Sequence, residues 1–211
     1  MSEVRDHIET DVRERILVSA ERLFREIGYQ KTTVADIAKT LRMSPANVYR
    51  FFDSKKAINV GVAQRLMAQV EQESQAIVTG PGSPTKRLRE LLATIHRMNA
   101  DRYVADAKMH EMVAFAMEEN WDVCRAHMDC ITGVIARVIT DGVAVGEFEV
   151  RDVNLAAVCT CTAMVRFFHP QLIAECADKP SPTLDQMIDF VIHGLQTQHR
   201  PGLSRSKALD K

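Results

Sequence analysis

The sequence predicts an all-α fold in two parts, a small N-terminal three-helix unit with helix-turn-helix proportions and a larger helical unit behind it. Three observations predict it. Apolar residues recur at three- and four-residue intervals along most of the chain. Glycine (9) and proline (7) are too scarce in 211 residues for a turn-rich sheet protein. Near the N-terminus, two helices of about two turns each are joined by about three residues, the dimensions of a helix-turn-helix.

The first helix carries Ile16, Ala20, Leu23, Phe24 and Ile27 on one stripe and stops at Gly28. Its start is read at Asp11, which with Glu14 has the spacing of a capping box, each side chain satisfying a free backbone N–H. Thr33 and Asp36 repeat that spacing ahead of a short second helix that buries Val34, Ile37, Ala38 and Leu41. The pattern breaks at Arg42-Met43-Ser44. Ser44 then reads as an N-cap and Pro45 as a first-turn residue, since proline's missing N–H costs nothing there, and a third helix follows with Val48 inward. A long helix over residues 55–78 keeps Ile58, Val62, Leu66 and Val70 in register until Gly80-Pro81-Gly82-Ser83-Pro84 stops it. Further helices are read over residues 85–99, 105–117, 121–145, 152–168 and 183–196, with Gly146-Glu147-Phe148 as a turn. Residues 201–211 read as a polar, mildly basic, disordered tail.

Apolar residues make up 46% of the chain and charged ones 26%, which excludes a largely disordered protein and leaves no need for disulfides or metal to hold a core. Five cysteines, an odd number without metal-finger spacing, read as reduced thiols. No apolar run is long enough to span a bilayer, and Met1 to Asp11 is charged where a signal peptide would be greasy, so a cytoplasmic location is expected. A Gly-rich phosphate loop, a nucleophile elbow, paired carboxylates and His-Glu-x-x-His are all missing from the sequence. No catalytic residue, metal or cofactor is therefore nominated, and an enzyme is the weaker reading.

A net charge of -1 rules out a uniformly basic nucleic-acid binder, so a basic surface must be local. It is found between Gly28 and Lys56, where Lys31, Lys39, Arg42, Arg50, Lys55 and Lys56 face only Asp36 and Asp53. Such a face supplies the salt-dependent part of DNA affinity, while the exposed side of the third helix, with Ala46, Asn47, Tyr49 and Arg50, supplies base contacts. Asn and Arg form bidentate hydrogen bonds to adenine and guanine edges, and a small Ala allows close approach. Each piece alone also fits a solvated surface. Their joint occurrence is much more specific.

The stretch Gly28-Tyr29-Gln30-Lys31-Thr32-Thr33-Val34-Ala35-Asp36-Ile37-Ala38, followed by Ser44-Pro45-Ala46-Asn47-Val48-Tyr49-Arg50-Phe51-Phe52-Asp53-Ser54-Lys55, resembles the N-terminal domain of the TetR family of transcriptional repressors. The resemblance covers about residues 11–60. It implies an N-terminal helix-turn-helix DNA-binding domain (1–56) and a C-terminal helical ligand-binding and dimerisation domain (57–200), with a tail over 201–211. It also implies that Thr33, Tyr49 and Lys55 hold phosphates, with Lys31 adding charge nearby, while Ser44, Pro45, Ala46, Asn47 and Arg50 sit at the major groove. Arg42 departs from the family, which commonly has glycine there, and Ala46-Asn47 departs from the usual Gly-Thr or Gly-Ser, so the operator cannot be copied from a relative.

The same resemblance implies a homodimer on double-stranded operator DNA, released by a small, largely apolar effector. The expected pairing surface is the stripe Leu155, Val158, Thr162, Val165 and Phe168 with Leu184, Met187, Ile188, Val191 and Leu195, and an intramolecular core is the alternative reading. Pocket candidates are Met67, Val70, Leu92, His96, Met109, Met112, Phe115, Met117, Trp121, His127, Met128 and Ile131, against the alternative that they are plain core. Cys124, His127 and Cys130 stand three apart on one helix, a spacing open to metal or redox sensing but more often a packing pattern.

Overall fold

The computed structural model describes residues 2–103, 108, 112, 115, 121–175 and 180–196. Among them the helices are α1 (Ser2–Ile27), α2 (Val34–Thr40), α3 (Pro45–Tyr49), α4 (Lys55–Thr79), α5 (Pro84–Tyr103), α6 (Trp121–Ala144), α7 (Val153–Phe168), α8 (Pro170–Glu175) and α9 (Leu184–Leu195). No strand occurs among the described residues, and one isolated bridge joins Phe148 to Gln196. The all-α expectation is met. Most of the helix read over residues 105–117, and the tail, lie outside the described residues.

Two starts differ from the sequence reading. Nothing in residues 2–10 breaks a helix, so α1 runs on from Ser2, and Asp11 lies inside it as an exposed ion pair with Arg15 rather than as a cap. The short α8 was not foreseen. His169 precedes Pro170, and the residue before a proline is pushed out of the α region; its ψ of 119° ends α7 and lets Pro170 open a new helix. The other two caps hold as read: Thr33 and Asp36 form both bonds of a capping box on α2, and Ser44 caps α3. Asp152 caps α7.

The buried side chains form two clusters. One lies beneath α1–α3 and contains Ile16, Phe24, Tyr29, Val34, Ile37, Val48 and Phe52. The other lies among α5, α6, α7 and α9 and contains Leu88, Leu91, Leu92, Ile135, Val138, Ile139 and Ile188. Helix α4 belongs to both, giving Ile58, Val62 and Leu66 to the first and Val70, Ile77 and Val78 to the second. Gly61 lets α1 approach it closely, since a Cβ there would stand 2.8 Å from Leu17 Cδ2.

The turn after α6 closes the second cluster. Phe148 is buried and lies over Gly142, where a Cβ would meet its ring at 2.0 Å. The backbone N–H groups of Glu147 and Phe148 both donate to Gly142 O, and Glu149 N donates to Leu195 O, which ties the turn to the end of α9. The Glu147 carboxylate accepts from Thr85 N at 2.9 Å at the start of α5, and hydrogen bonds from the Thr85 hydroxyl and backbone N–H hold its carboxyl below the usual carboxylate range. Because the clash at Gly142 is with a ring that has nowhere to go, Gly142→Ala should cost about 1–3 kcal/mol or more. Thermal unfolding should show a fall of several degrees; an unchanged midpoint would mean that the turn repacks freely.

Candidate nucleic-acid interface and ligand cavity

Helix α3 is short and is held by its ends. Ser44 Oγ accepts from Asn47 N at 3.2 Å, Pro45 supplies the first turn, and Val48 is fully buried as the anchor. Pro45, Ala46, Tyr49 and Arg50 are exposed, and Asn47 is half-buried. One outward surface thus carries the residues nominated for base contact. Between α2 and α3, Arg42 has a φ of 55°, a left-handed conformation that glycine takes freely and arginine takes at a cost of about 1 kcal/mol or more. The turn therefore keeps the geometry of a glycine turn with an exposed guanidinium on it.

Two of the nominated phosphate contacts are engaged internally. Thr33 is exposed, but its hydroxyl accepts from Asp36 N and donates to Asp36 Oδ2 at 2.6 Å, and that donation, with a second from Thr33 N, holds the Asp36 carboxyl below its usual range. Lys55 corrects the sequence reading more sharply. Its ammonium donates to Tyr29 O (3.0 Å), Gln30 O (3.3 Å) and Thr32 O (3.1 Å) and lies 4.5 Å from the centre of the Tyr29 ring. It fastens the α1–α2 turn to the start of α4. Lys31, Lys39, Arg50 and Lys56 remain exposed on this side.

Sequence reasoning missed the ties that fix the reader to the rest. Arg13 donates to Phe51 O and covers the Phe52 ring at 4.3 Å. Arg65 on α4 bonds both Glu14 and Glu21 of α1. Asn59 Nδ2 donates to Met112 O at 3.1 Å, and Phe115 stacks on Tyr29 with ring centres 5.6 Å apart. Their signal in the sequence is weak, because a charged residue on a helix face looks the same whether or not a partner helix waits opposite.

A cavity of about 140 Å³ lies between α4, α5, α6 and α7. Six of the nominated residues line it: Met67, Val70, Trp121, His127, Met128 and Ile131. Leu66, Ile95, Asn99, Cys124, Cys161, Val165, Phe168 and His169 complete the wall. Four candidates sit elsewhere. Leu92 is in the second core cluster, and His96 Nδ1 donates to Phe167 O at 2.9 Å. Met112 is fully buried and Phe115 is packed in the first cluster, under the reader. Met109 and Met117 lie outside the described residues. A wider, open groove of about 820 Å³ runs between α1, the end of α3 and α4, walled largely by the side chains that tie these helices together, Arg13, Glu14, Arg65 and Phe52 among them.

Cys124, Cys130 and Cys161 are not set up as nucleophiles. Burial pushes Cys124 and Cys161 up from the ordinary thiol range, and burial followed by the Glu71 carboxylate does the same for Cys130. Among the described residues no three His, Cys, Asp or Glu side chains gather as a metal-ligating group.

The stripe nominated for pairing is divided by the fold. Ile188, Val191 and Leu195 are buried inside the chain, and Phe168, Leu184 and Met187 pack against the same core. Leu155, Val158, Thr162 and Val165 on α7 are exposed, joined on α9 by Phe190 at 72% exposure, which the sequence reading passed over. An apolar residue lying off the dominant stripe was its only signal.

Comparison with known proteins bears on the whole chain. Residues 16–59 match the family model for bacterial regulatory proteins of the tetR family, and residues 84–188 match that for the tetracyclin repressor-like C-terminal domain. An uncharacterised HTH-type transcriptional regulator of Mycobacterium tuberculosis is 32% identical over 88 residues, 42% of this chain and 44% of that protein. The Staphylococcus aureus biofilm operon HTH-type negative transcriptional regulator IcaR is 45% identical over 47 residues, 22% of this chain and 25% of its own length. The chain thus spans less than half the length of these curated relatives. A transcriptional regulator from Saccharomonospora viridis, solved in complex with choline, has the same fold, with a TM-score of 0.62 at 21% identity over 90% of this chain and 100% of that one.

Lys55→Met should lower the thermal midpoint by a few degrees, as expected for losing charged hydrogen bonds of about 1.5–3 kcal/mol. The slope of log affinity against log salt for DNA should stay the same. An unchanged midpoint with a flatter slope would return Lys55 to the phosphates.

Proposed function

Because the chain belongs to the TetR family of transcriptional regulators and carries its DNA-binding domain, we propose that it is a repressor that binds a palindromic operator as a homodimer and is released by a small, largely apolar effector. One observation carries this reading: the exposed outer face of α3, with Pro45, Ala46, Tyr49 and Arg50, stands on a helix pair fixed to α4, and α4 also walls the cavity. Arg50 and Asn47 read base edges, while Lys31, Arg42, Tyr49 and Lys56 meet phosphates. Thr33 joins them only if its hydroxyl leaves Asp36, and Ser44 acts as the cap that aims the helix.

Two copies place two α3 helices in successive major grooves about 34–36 Å apart. The surface for the second copy is the exposed set Leu155, Val158, Thr162 and Val165 with Phe190. Release follows if the effector prefers a conformation in which that spacing is lost; a coupling of about 1–3 kcal/mol gives a graded response. The choline held by the Saccharomonospora viridis relative, a small molecule, supports reading the cavity as an effector site. Negative regulation by IcaR supports repression over activation. No helix among the described residues is long and apolar enough to cross a membrane; the cytoplasm is the location proposed, because a repressor works where its operator DNA is. No catalytic role is proposed.

Binding to DNA from the chain's own upstream region, measured by gel shift, tests the reading. Arg50→Ala should weaken operator binding by about 1–3 kcal/mol and non-specific binding far less. Equal losses on both would remove Arg50 from base reading, and no preference of the wild type for any palindromic duplex would remove the function itself. Val158→Asp with Phe190→Asp should convert the protein to monomers in sedimentation and lower operator affinity; a dimer that survives both changes pairs through another surface.

A further inference from the structure

The cavity's dimensions and chemistry narrow what can occupy it. A void of about 140 Å³ is close to the roughly 150 Å³ apolar cavity that takes up a benzene molecule, so it suits one ring rather than a long chain or a fused system. Trp121 and Phe168 offer flat faces, and Met67 and Met128 offer polarizable sulfurs that sit well at a ring edge. Among the described residues, none that lines it is Asp, Glu, Lys or Arg. An ionic ligand would lose its hydration there without such a side chain as its partner, which favours a neutral occupant.

The polar groups in the wall set the rest. His127 Nδ1 stands 2.6 Å from Glu71 Oε1, and Glu71 is not among the residues lining the cavity. Facing a carboxylate, Nδ1 carries a proton, and Nε2 is the ring nitrogen left for a ligand. Glu71 thus orients the ring. Asn99 is also held in place: its Nδ2 donates to Phe168 O at 2.8 Å, which leaves the carbonyl oxygen and the second N–H of the amide. The thiols in the wall are kept protonated by burial, so they provide a soft lining and not a trap for electrophiles.

Building on the reading of this cavity as the effector site, we infer that its ligand is a neutral, single-ring hydroxy compound of the phenol class whose hydroxyl forms a hydrogen bond with Nε2 of His127. Glu71 is the positioning residue. The ring fills the space between Trp121, Met67, Met128 and Phe168, and the hydroxyl meets His127.

Trp121 is the chain's single tryptophan and lies in the wall, so its fluorescence reports occupancy directly. The full-length protein is titrated with phenol, with toluene as its isostere lacking the hydroxyl, and with benzoate as an anionic ring. The deciding quantity is the ratio of the toluene to the phenol dissociation constant, because the cost of removing each probe from water cancels between variants. His127→Phe should reduce that ratio by about tenfold, the worth of one hydrogen bond, and the isosteric Glu71→Gln should reduce it in the same direction by less. Benzoate should bind more weakly than phenol. If both probes titrate but the ratio moves by under about threefold in both variants, or if benzoate binds as tightly as phenol, the phenol assignment is overturned while the effector-site reading stands. If no probe alters Trp121 emission and none releases DNA, both are overturned.

Discussion

Every other contact depends on one 25-residue helix being shared by two cores. At 1.5 Å per residue α4 is about 37 Å long, enough to reach from beneath the DNA-reading helices to the far end of the second cluster. Its N-terminal half cannot shift without disturbing Ile58, Val62 and Leu66 in the first core, nor its C-terminal half without disturbing Val70, Ile77 and Val78 in the second. Arg65 fixes it to α1 through Glu14 and Glu21, and Arg102 on α5 fixes it from the other side through Leu66 O and Gln69. Close-packed interiors transmit displacement because they have no slack to absorb it. A molecule lodged against Leu66, Met67 and Val70 therefore acts on the same rod that carries α3, and in the proposed mechanism it does so only to the extent that it favours one arrangement over another.

The charge around the reader is smaller than its lysine and arginine count suggests. Lys55 neutralises the partial charges of three carbonyls at the α1–α2 turn, and Arg13 is committed to Phe51 O and the Phe52 ring. These cations make the reader rigid, and the ones left outside are those able to release counterions from DNA. Rigidity also explains why a strained Arg42 is tolerated. Val48 anchors the helix that follows, and the backbone bonds Arg42 N to Lys39 O and Met43 N to Ala38 O hold the turn on the other side. The left-handed residue is over-determined by its neighbours.

The apolar residues of α7 and α9 illustrate a division of labour that spacing alone does not reveal. Both helices are apolar on more than one side. Ile188, Val191, Ile192 and Leu195 turn toward the core, and Phe190 turns away from it, in line with the exposed side chains of α7 as the surface proposed for a second copy. A helix buried in its own chain on one side and against a copy on another has a hydrophobic stripe for each, and the stronger stripe in the sequence belongs to the interior.

What the sequence determined by itself is local: which segments are helical, where Thr33, Ser44, Asp152 and Thr183 cap them, and that a short Ser-Pro-started helix with a buried Val48 exposes Tyr49 and Arg50. These features follow from interactions within one or two helical turns, and such interactions are written in residue order. Tertiary structure decided which partner each outward side chain meets. Lys55 reaches residues about two dozen positions back, His127 reaches Glu71, Met112 goes to the reader's core rather than the cavity, and Phe190 is left outside. A 3.6-residue period says that a helix has an apolar side and a polar side; only the packing of one helix against another says what lies opposite either of them.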